Sequence, residues 1–413
     1  MFTGINPNPV RYRYPNRCTG FGPFYNASIP AFAISFPDKV TRATTDPPGT
    51  APTIRLRGAR KHREANALNE SITVQALREL STKLADARDL EHCSALFGQP
   101  LVLFEATPDT LPGSSTELEI LHARLGELPC PVIAIHAPGE RSPAAELASL
   151  ADVVVESTKE AQPLIRNIRA NPFAAMVLVQ LLRHNARSEI ADGLFAESLA
   201  FATLQGGAEF HAFLQKRAAA GAAPPAPTPQ PDDEPVVLLT REDDVLSITL
   251  NQPERRNAFS VAMRDGLIEG LHLLADDSSI RRAIIRGAGA CFCTGGDLDE
   301  FGLAGDPTEA HAIRSTRNAG RLIAEQSARI ECRVHRACIG SGIELPAFAG
   351  RLVASADTNF QLPEITLGLI PGAGGTVSIT RRIGRQRTAY LALSARRINA
   401  QTALAWGLID AIE

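Results

Sequence analysis

The stretch that decides the fold is residues 363–376, PEITLGLIPGAGGT, which sets a carboxylate beside a glycine-rich turn. Glycine allows a backbone to approach a ligand closely and to expose its N–H groups. Two further loops have the same character: GSGIEL at residues 340–345 and CFCTGGDL at residues 291–298. Two N–H groups aimed at one oxygen stabilise an anion, and two carboxylates in one cleft can act as acid and base. Glu344 and Glu364 are therefore the candidate acid–base pair.

Each of these motifs taken singly also has an ordinary structural explanation. GAGGT is most often a tight turn before a helix, and without GK[ST] it does not predict a P-loop. Ile339 occupies the position where a nucleophile elbow needs its first glycine, so Ser341 is not predicted to be a nucleophile. Cys291 and Cys293 flank an apolar residue, which is typical of packed thiols.

Composition excludes several classes of protein. The chain has 413 residues, which predicts two or three domains. A net charge of −3 provides no global field that would attract nucleic acid or an anionic membrane. No apolar run approaches the ~20 residues that span a bilayer. Seven cysteines without CxxC spacing favour neither a disulfide framework nor a metal site, so we expect a reduced, cytoplasmic protein without a bound metal.

Strand and helix signals alternate in the C-terminal part of the chain. Such alternation favours a largely parallel sheet covered by helices, that is, an α/β fold. The predicted helices cover residues 261–277 and 309–327. The predicted strands cover residues 245–250, 282–286, 330–337 and 352–355.

The order and spacing of the motifs resemble those of the crotonase family, the enoyl-CoA hydratase/isomerase superfamily, from about residue 236 to residue 412. Besides the three loops, the similarity includes NQPERRNAF at residues 251–259 and AWGLID at residues 405–410. The resemblance implies a crotonase-like core of repeated ββα units in a spiral, with a helical region.

The resemblance also implies a site and a reaction. Glu344 and Glu364 would add water to a 2-enoyl thioester, and the N–H groups of Gly296 and Ser341 would form the oxyanion hole. The residues implied to bind substrate are Ala258, Gly295, Asp297 and Leu298. Retention of both carboxylates favours an enoyl-CoA hydratase-like lyase. The alternatives are an isomerase, a thioester hydrolase, or a non-catalytic scaffold that binds acyl thioesters.

The implied partners are an acyl-CoA or an acyl-carrier thioester and further copies of the chain, as a trimer or a dimer of trimers. No cofactor is implied, because coenzyme A enters as part of the substrate. Two departures from the family pattern stand out: Ser341 replaces a usual glycine, and Glu331 with Arg333 occupies a strand that is usually apolar. For that charged pair we favour pairing at a surface over a polar lining for the substrate.

The N-terminal part resembles a decayed copy of the same unit. Its buried strand PVIAI, residues 131–135, precedes Glu146, but Pro143 stands where the second copy has Ser341 and has no N–H to donate. We therefore predict that Glu146 is structural. The predicted divisions are an extended arm (1–51), a degenerate crotonase-like domain (52–156), a helical region (157–217), a Pro/Ala-rich linker (218–235) and the catalytic core (236–413).

The second copy stops where the family's C-terminal helices would begin. The helical region upstream has apolar stripes in three predicted helices, at residues 165–172, 173–183 and 188–216. Because a core without those helices would expose a broad apolar surface, we predict that the upstream helices, from the same or a neighbouring chain, pack on residues 236–413 and help to wall the acyl pocket. The alternative is that the covering helices are absent from this sequence.

Overall fold

The structure is a computed structural model, and it describes residues 10–11, 74–137, 139, 142–221 and 235–413. The predicted N-terminal arm, apart from Val10–Arg11, lies outside the described residues. So do residues 52–73 of the predicted degenerate domain and most of the predicted linker. The proposed domain boundaries therefore stay predictions.

The described residues form short strands and longer helices that alternate along much of the chain. The strands are β1 (Val10–Arg11), β2 (Val102–Glu105), β3 (Val132–Ile135), β4 (Val153–Val155), β5 (Val237–Glu242), β6 (Val245–Leu250), β7 (Arg282–Gly287), β8 (Ile330–Val334), β9 (Ala337–Ile339), β10 (Arg351–Ala354), β11 (Asn359–Gln361), β12 (Ile398–Asn399) and β13 (Ala411–Ile412).

The helices of the described residues lie in the N-terminal part, in the helical region and in the C-terminal core. They are α1 (Leu77–Leu84), α2 (Ala87–His92), α3 (Ser115–Arg124), α4 (Pro143–Leu150), α5 (Thr158–Ala170), α6 (Pro172–Asn185), α7 (Ile190–Gln205), α8 (Ala208–Ala219), α9 (Val261–Asp276), α10 (Pro307–Thr316), α11 (Ala319–Glu325), α12 (Ser341–Glu344), α13 (Gly375–Ile383), α14 (Arg385–Ser394) and α15 (Ala400–Trp406).

The main sheet of the described residues has the strand order β1-β5-β6-β7-β8-β10-β13. The first two pairings are antiparallel, and from β6 to β13 every pairing is parallel. Residues alternate between buried and half-buried positions along β6, as expected for a sheet with one face on the core. The α/β class expected from the alternation of strands and helices is confirmed.

A second sheet, β12-β11-β9, gives the fold its repeated ββα pattern. The chain leaves the main sheet at the end of β8, turns at Arg336 in the left-handed region (φ 54°), and enters β9, which leads into α12. The next repeat runs from β10 through β11 to α13. The single strand predicted over residues 330–337 was therefore wrong, because this turn divides it between two sheets.

The N-terminal part forms its own parallel sheet, in the order β2-β3-β4. The helix α4 lies between β3 and β4 in the sequence, as α12 lies between β8 and β10. Asp152 precedes β4, is buried, and accepts a hydrogen bond from the N–H of Val132 at 2.9 Å. This arrangement is compatible with a decayed copy of the catalytic unit, whose common origin stays a prediction.

The helices α5 to α8 pack on the C-terminal core, as predicted. Asn167 of α5 donates to the carbonyls of Leu393 and Ser394, and Asn185 of α6 donates to the hydroxyl of Thr376 at 2.8 Å. Apolar side chains of α5, α6 and α7 belong to the same buried cluster as those of α13 and α14. The helix predicted over residues 188–216 is divided into α7 and α8 at Gly206 and Gly207, where flexible backbone ends the first helix.

Two other sequence-based expectations have clear outcomes. The helix predicted over residues 309–327 is also two helices, because the side chain of Asn318 caps a new helix by accepting from the N–H of Arg321. The pair of Glu331 and Arg333 lies on the less buried face of β8, with 2.6 Å between Arg333 Nε and Glu331 Oε1. The surface pairing that we favoured is confirmed.

In the described part of the chain, no helix is both long and apolar enough to cross a bilayer.

Candidate active site

A cavity of about 460 Å³ lies between the three glycine-rich loops and the helices α7 and α10. Its lining includes all four residues predicted to perform chemistry: Glu344, Glu364, Gly296 and Ser341. The loops are distant in sequence. Residues 340–345 follow β9 and residues 363–376 follow β11, which are parallel neighbours in the second sheet, and a parallel bridge between Cys293 and Cys338 joins residues 291–298 to β9. Parallel strands bring the loops at their carboxyl ends to one edge of the sheet, where α/β proteins form their sites.

Glu344 is the more firmly held of the two carboxylates. It ends the short helix α12, its side chain is only 2% exposed, and its Oε2 accepts hydrogen bonds from Ala373 N–H at 2.7 Å and Gly375 N–H at 3.0 Å. Burial raises the pKa of Glu344 to about 7, against the two N–H donors and the charge of Arg314, which favour the ionised form. A carboxylate with this pKa can accept a proton near neutral pH.

Glu364 has a different environment in the same cavity. Its Oε2 is buried and has no hydrogen-bond partner among the residues that the structure describes. Burial, and then the negative charge of Glu344, raise the pKa of Glu364 well above its ordinary value. Both effects favour the protonated form of Glu364, which is the form that can donate a proton. The surroundings of the two carboxyl groups therefore differ: Glu344 has two N–H donors that favour its ionised form, and Glu364 has burial and a neighbouring like charge that favour its protonated form.

Gly340 allows the two carboxylate loops to approach each other. Its φ of +52° lies in the region that favours glycine, and a side-chain carbon there would stand 2.5 Å from Oε1 of Glu364. The close approach therefore requires glycine at this position.

Two backbone N–H groups are available at the cavity wall. The backbones of Phe259 and Gly296 form a β-bridge. In this bridge the N–H of Phe259 donates to the carbonyl of Gly295, and the carbonyl of Phe259 accepts from the N–H of Asp297. The N–H of Gly296 therefore points away from Phe259. Ser341 begins α12, where an N–H has no acceptor inside the helix. Within the described residues neither N–H has an acceptor. Together they could hold one anionic oxygen.

The structure brings the implied substrate-binding residues only partly together. Asp297 lines the cavity, but its carboxylate pairs with Arg255 at 2.8 Å, so its evident role is to fix the loop. Ala258, Gly295 and Leu298 are not among the residues that line the cavity, and Leu298 is exposed. Their implied roles stay predictions.

Sequence reasoning missed two charged residues beside the site. Glu197 of α7 is buried and hydrogen-bonded to the loop that holds Glu344. Arg314 of α10 donates to the carbonyl of Gly372 at 2.5 Å, and its guanidinium lies 3.7 Å from the centre of the Phe201 ring. Both lie outside the motif-bearing loops. The available signal was weak: a single carboxylate on the apolar face of a helix, between Leu194 and Phe201.

The cavity combines paired buried carboxyl groups with two backbone N–H groups that have no acceptor among the described residues, an arrangement typical of an enzyme active site. The family model Enoyl-CoA hydratase/isomerase matches residues 240–413. The 2,3-dehydroadipyl-CoA hydratase of Escherichia coli (strain K12) is 35% identical over 176 residues, which cover 42% of this chain and 68% of the relative. The 1,2-epoxyphenylacetyl-CoA isomerase of the same organism is 33% identical over 179 residues, with coverage of 42% and 68%.

A solved structure of AtuE from Pseudomonas aeruginosa has 36% sequence identity and a TM-score of 0.39, and it covers 43% of this chain and 70% of that one. The identity to the curated relatives shows that the chain belongs to the enoyl-CoA hydratase/isomerase family. The resemblance stated from the motifs is confirmed.

Proposed function

We propose that the protein hydrates a 2-enoyl-CoA thioester. The observation that carries the proposal is the pair of buried carboxyl groups in one cavity: Glu344 is held by two N–H donors, and Oε2 of Glu364 has no hydrogen-bond partner among the described residues. Hydration needs a base for water and an acid for carbon at the same time. Glu344, as the base, and Glu364, as the acid, lie in the same cavity.

The reaction balances with these groups alone. Glu344 takes a proton from water while the water oxygen bonds to the β-carbon, and the π electrons of the double bond move to the thioester oxygen as an enolate. The N–H groups of Gly296 and Ser341 stabilise that oxygen. Glu364 then gives its proton to the α-carbon, and the enolate collapses to the saturated thioester. The proton left on Glu344 restores Glu364 through solvent, so the net change is addition of one water molecule.

The electrostatic interaction between the two carboxyl groups supports Glu344 as the base and Glu364 as the acid. Burial and the charge of Glu344 both raise the pKa of Glu364, because two adjacent carboxylates in a buried site resist being ionised together. The Ser341 side chain does not remove its backbone N–H, so the departure from the family glycine leaves the proposed anion site available.

Relatives in this family include both a hydratase and an isomerase, so the choice must be tested by product analysis. With crotonyl-CoA as substrate, we expect loss of the absorbance of the enoyl thioester and formation of 3-hydroxybutyryl-CoA. Glu364→Gln should lower turnover at least ~10²-fold, because it removes the proton for the α-carbon. Glu325→Gln is the matched control, because Glu325 is an exposed carboxylate on α11 that pairs with Arg321 outside the cavity.

An isomerised product would show that the protein is an isomerase. Release of free coenzyme A would show that it is a thioester hydrolase. Full hydration by Glu364→Gln would contradict the assignment. Binding of the thioester without turnover would indicate a scaffold.

A further inference from the structure

The turn at residues 372–376 lies between two buried carboxylates and is hydrogen-bonded to both. Four successive N–H groups alternate between them. Those of Ala373 and Gly375 donate to Glu344, and those of Gly374 and Thr376 donate to Glu197 at 2.7 and 3.0 Å. The turn is therefore fixed from both sides, and the donors that hold Glu344 share their backbone with the donors that Glu197 binds.

The glycines of the turn make this alternation possible. Gly374 has a φ of +107°, and a side-chain carbon there would lie 2.4 Å from the ring of Phe348. A side-chain carbon on Gly375 would lie 2.5 Å from Cγ of Glu344. Neither position tolerates a larger residue. Glycine leaves this backbone many accessible conformations, and the hydrogen bonds to the two carboxylates fix the one that is seen.

Glu197 is itself held in a single orientation. It is 3% exposed, and besides the two N–H groups it accepts from the hydroxyl of Thr376 at 2.6 Å. That hydroxyl accepts in turn from the side-chain amide of Asn185 at 2.8 Å. Three donors therefore point at the carboxylate, and this hydrogen bonding favours its ionised form.

The charges that face Glu197 come from three different elements. Glu344 of α12 and Glu364 have the same sign of charge as Glu197 when they are ionised, while Arg314 of α10 carries the opposite charge and interacts with both Glu197 and Glu344. Burial and the charge of Glu344 raise the pKa of Glu197 to about 8. Glu197 is thus electrostatically connected to the proposed base as well as to the loop that holds it.

We propose that Glu197 is a positioning residue for the reaction: through the N–H groups of Gly374 and Thr376 it fixes the turn whose neighbouring N–H groups hold Glu344. The inference rests on the proposed function, since it assigns Glu197 to the placement of that base. It also means that the helical region upstream of the core contributes to the site, because Glu197 lies on α7. A displacement of a catalytic group by ~1 Å can cost ~10²-fold in rate.

The test uses the full chain and asks whether Glu197 acts through Glu344. Glu197→Gln keeps the shape but replaces one acceptor oxygen with a donor group, which cannot receive a backbone N–H. We expect kcat to fall ~10- to 100-fold while KM changes less than ~3-fold, because substrate contacts are kept and the base is misplaced. Glu189→Gln, at an exposed glutamate beside the start of the same helix, should leave both constants unchanged.

The decisive measurement repeats Glu197→Gln in a Glu344→Gln background. If Glu197 serves only to place Glu344, its loss should then lower kcat less than ~2-fold further. An equal loss in both backgrounds would show a general structural role, and no loss in the unmodified background would also overturn the inference. Should Glu197→Gln fail to fold, Thr376→Val removes one of the three donors at nearly constant volume, and activity restored by Thr376→Ser would carry the same conclusion.

The same variants separate this inference from the proposed function. Full hydration activity in Glu344→Gln would overturn both, because there would be no base to position. Loss of activity in Glu344→Gln together with normal kcat in Glu197→Gln would overturn the positioning role alone.

Discussion

Two glutamates occupy similar places in two similar units of this chain and have opposite environments. Glu146 lies in α4, between the parallel strands β3 and β4, and its side chain is exposed. Glu344 lies in α12, between the parallel strands β8 and β10, and it is buried with two N–H donors on one oxygen. Since the residue type is the same and each helix lies between parallel strands, burial and hydrogen bonding around the carboxylate are what distinguish the two glutamates.

The starts of the two helices explain much of the difference. Ser142 caps α4 with its own hydroxyl, which accepts from the N–H of Ala145, and Pro143 follows without an N–H. At α12, Gly340 in the left-handed region leads directly into Ser341, whose N–H has no acceptor among the described residues. The start of α4 is capped by its own serine, whereas the start of α12 places the N–H of Ser341 at the cavity.

The largest effect should come from separating the two parts of the chain. Residues 236–413 expressed alone would lose Glu197 and expose the apolar surface that α5, α6 and α7 cover. We expect an insoluble or inactive product, measured by solubility and by hydration of crotonyl-CoA against the full chain. Addition of residues 158–221 in trans should restore part of the activity. A soluble and fully active core would contradict the role assigned to these helices.

Glu344→Gln should give the next largest effect and is the direct test of the buried glutamate. Removal of the base should lower kcat at least ~10²-fold with little change in stability, because the amide keeps the volume of the side chain. Steady-state hydration assays and a thermal unfolding midpoint measure the two quantities. Retention of normal turnover would show that burial at this position serves the fold and not the reaction.

The pH dependence of hydration should reflect the carboxyl groups of the cavity. Lowering the pH through about 7 protonates Glu344 and removes the base, so kcat/KM should fall on the acid side. Raising the pH ionises Glu364, whose pKa lies well above its ordinary value, so kcat/KM should fall again on the alkaline side. The acid limb should disappear in Glu344→Gln. A flat profile between about pH 5 and 9 would contradict the assignment.

Stability should be more sensitive than activity to the carboxylate that joins the two units. Asp152 is 1% exposed and pairs with Arg183 of α6 and with Arg385 of α14 at 2.7 Å. Asp152→Asn leaves these arginines without their counter-charge and should lower the free energy of unfolding by about 3–5 kcal/mol, measured by urea denaturation. The exposed pair of Glu127 with Arg124 is the control, and Glu127→Gln should change it by less than about 1 kcal/mol.

The sequence allowed prediction of the parts of the site that are local in the chain. Glu344, Glu364, Gly296 and Ser341 lie in glycine-rich loops whose order identifies the family, and the structure places all four at one cavity. Strand β6 was predicted with its observed bounds because its apolar and β-branched residues are typical of a strand and a turn follows it. The sequence did not show where one predicted element is divided into two by a single residue. Asn318 caps a new helix within the helix predicted over residues 309–327, and Arg336 turns the chain within the strand predicted over residues 330–337.

Glu197 could not be predicted, since its importance comes from a contact across more than a hundred residues of sequence. Within α7 it is only one acidic residue in an apolar helix. The partners that explain its burial, Gly374 and Thr376, belong to a turn that was interpreted for its glycines alone. Helical periodicity identifies which face is buried but not which backbone donors a buried carboxylate meets.

The smallest effect is expected at Glu146, and it is the most direct test of the comparison. Glu146→Gln should change turnover by less than about twofold, because Glu146 is exposed and no transition-state contact is lost. Its first-turn position in α4 gives the charge a modest stabilising role with the helix dipole, so the free energy of unfolding should fall by about 0.3–1 kcal/mol. Kinetics at saturating crotonyl-CoA and urea denaturation measure both. A large loss of turnover at unchanged stability would mean that the first unit still supplies a catalytic group, and the contrast between an exposed and a buried glutamate would no longer explain where the reaction occurs.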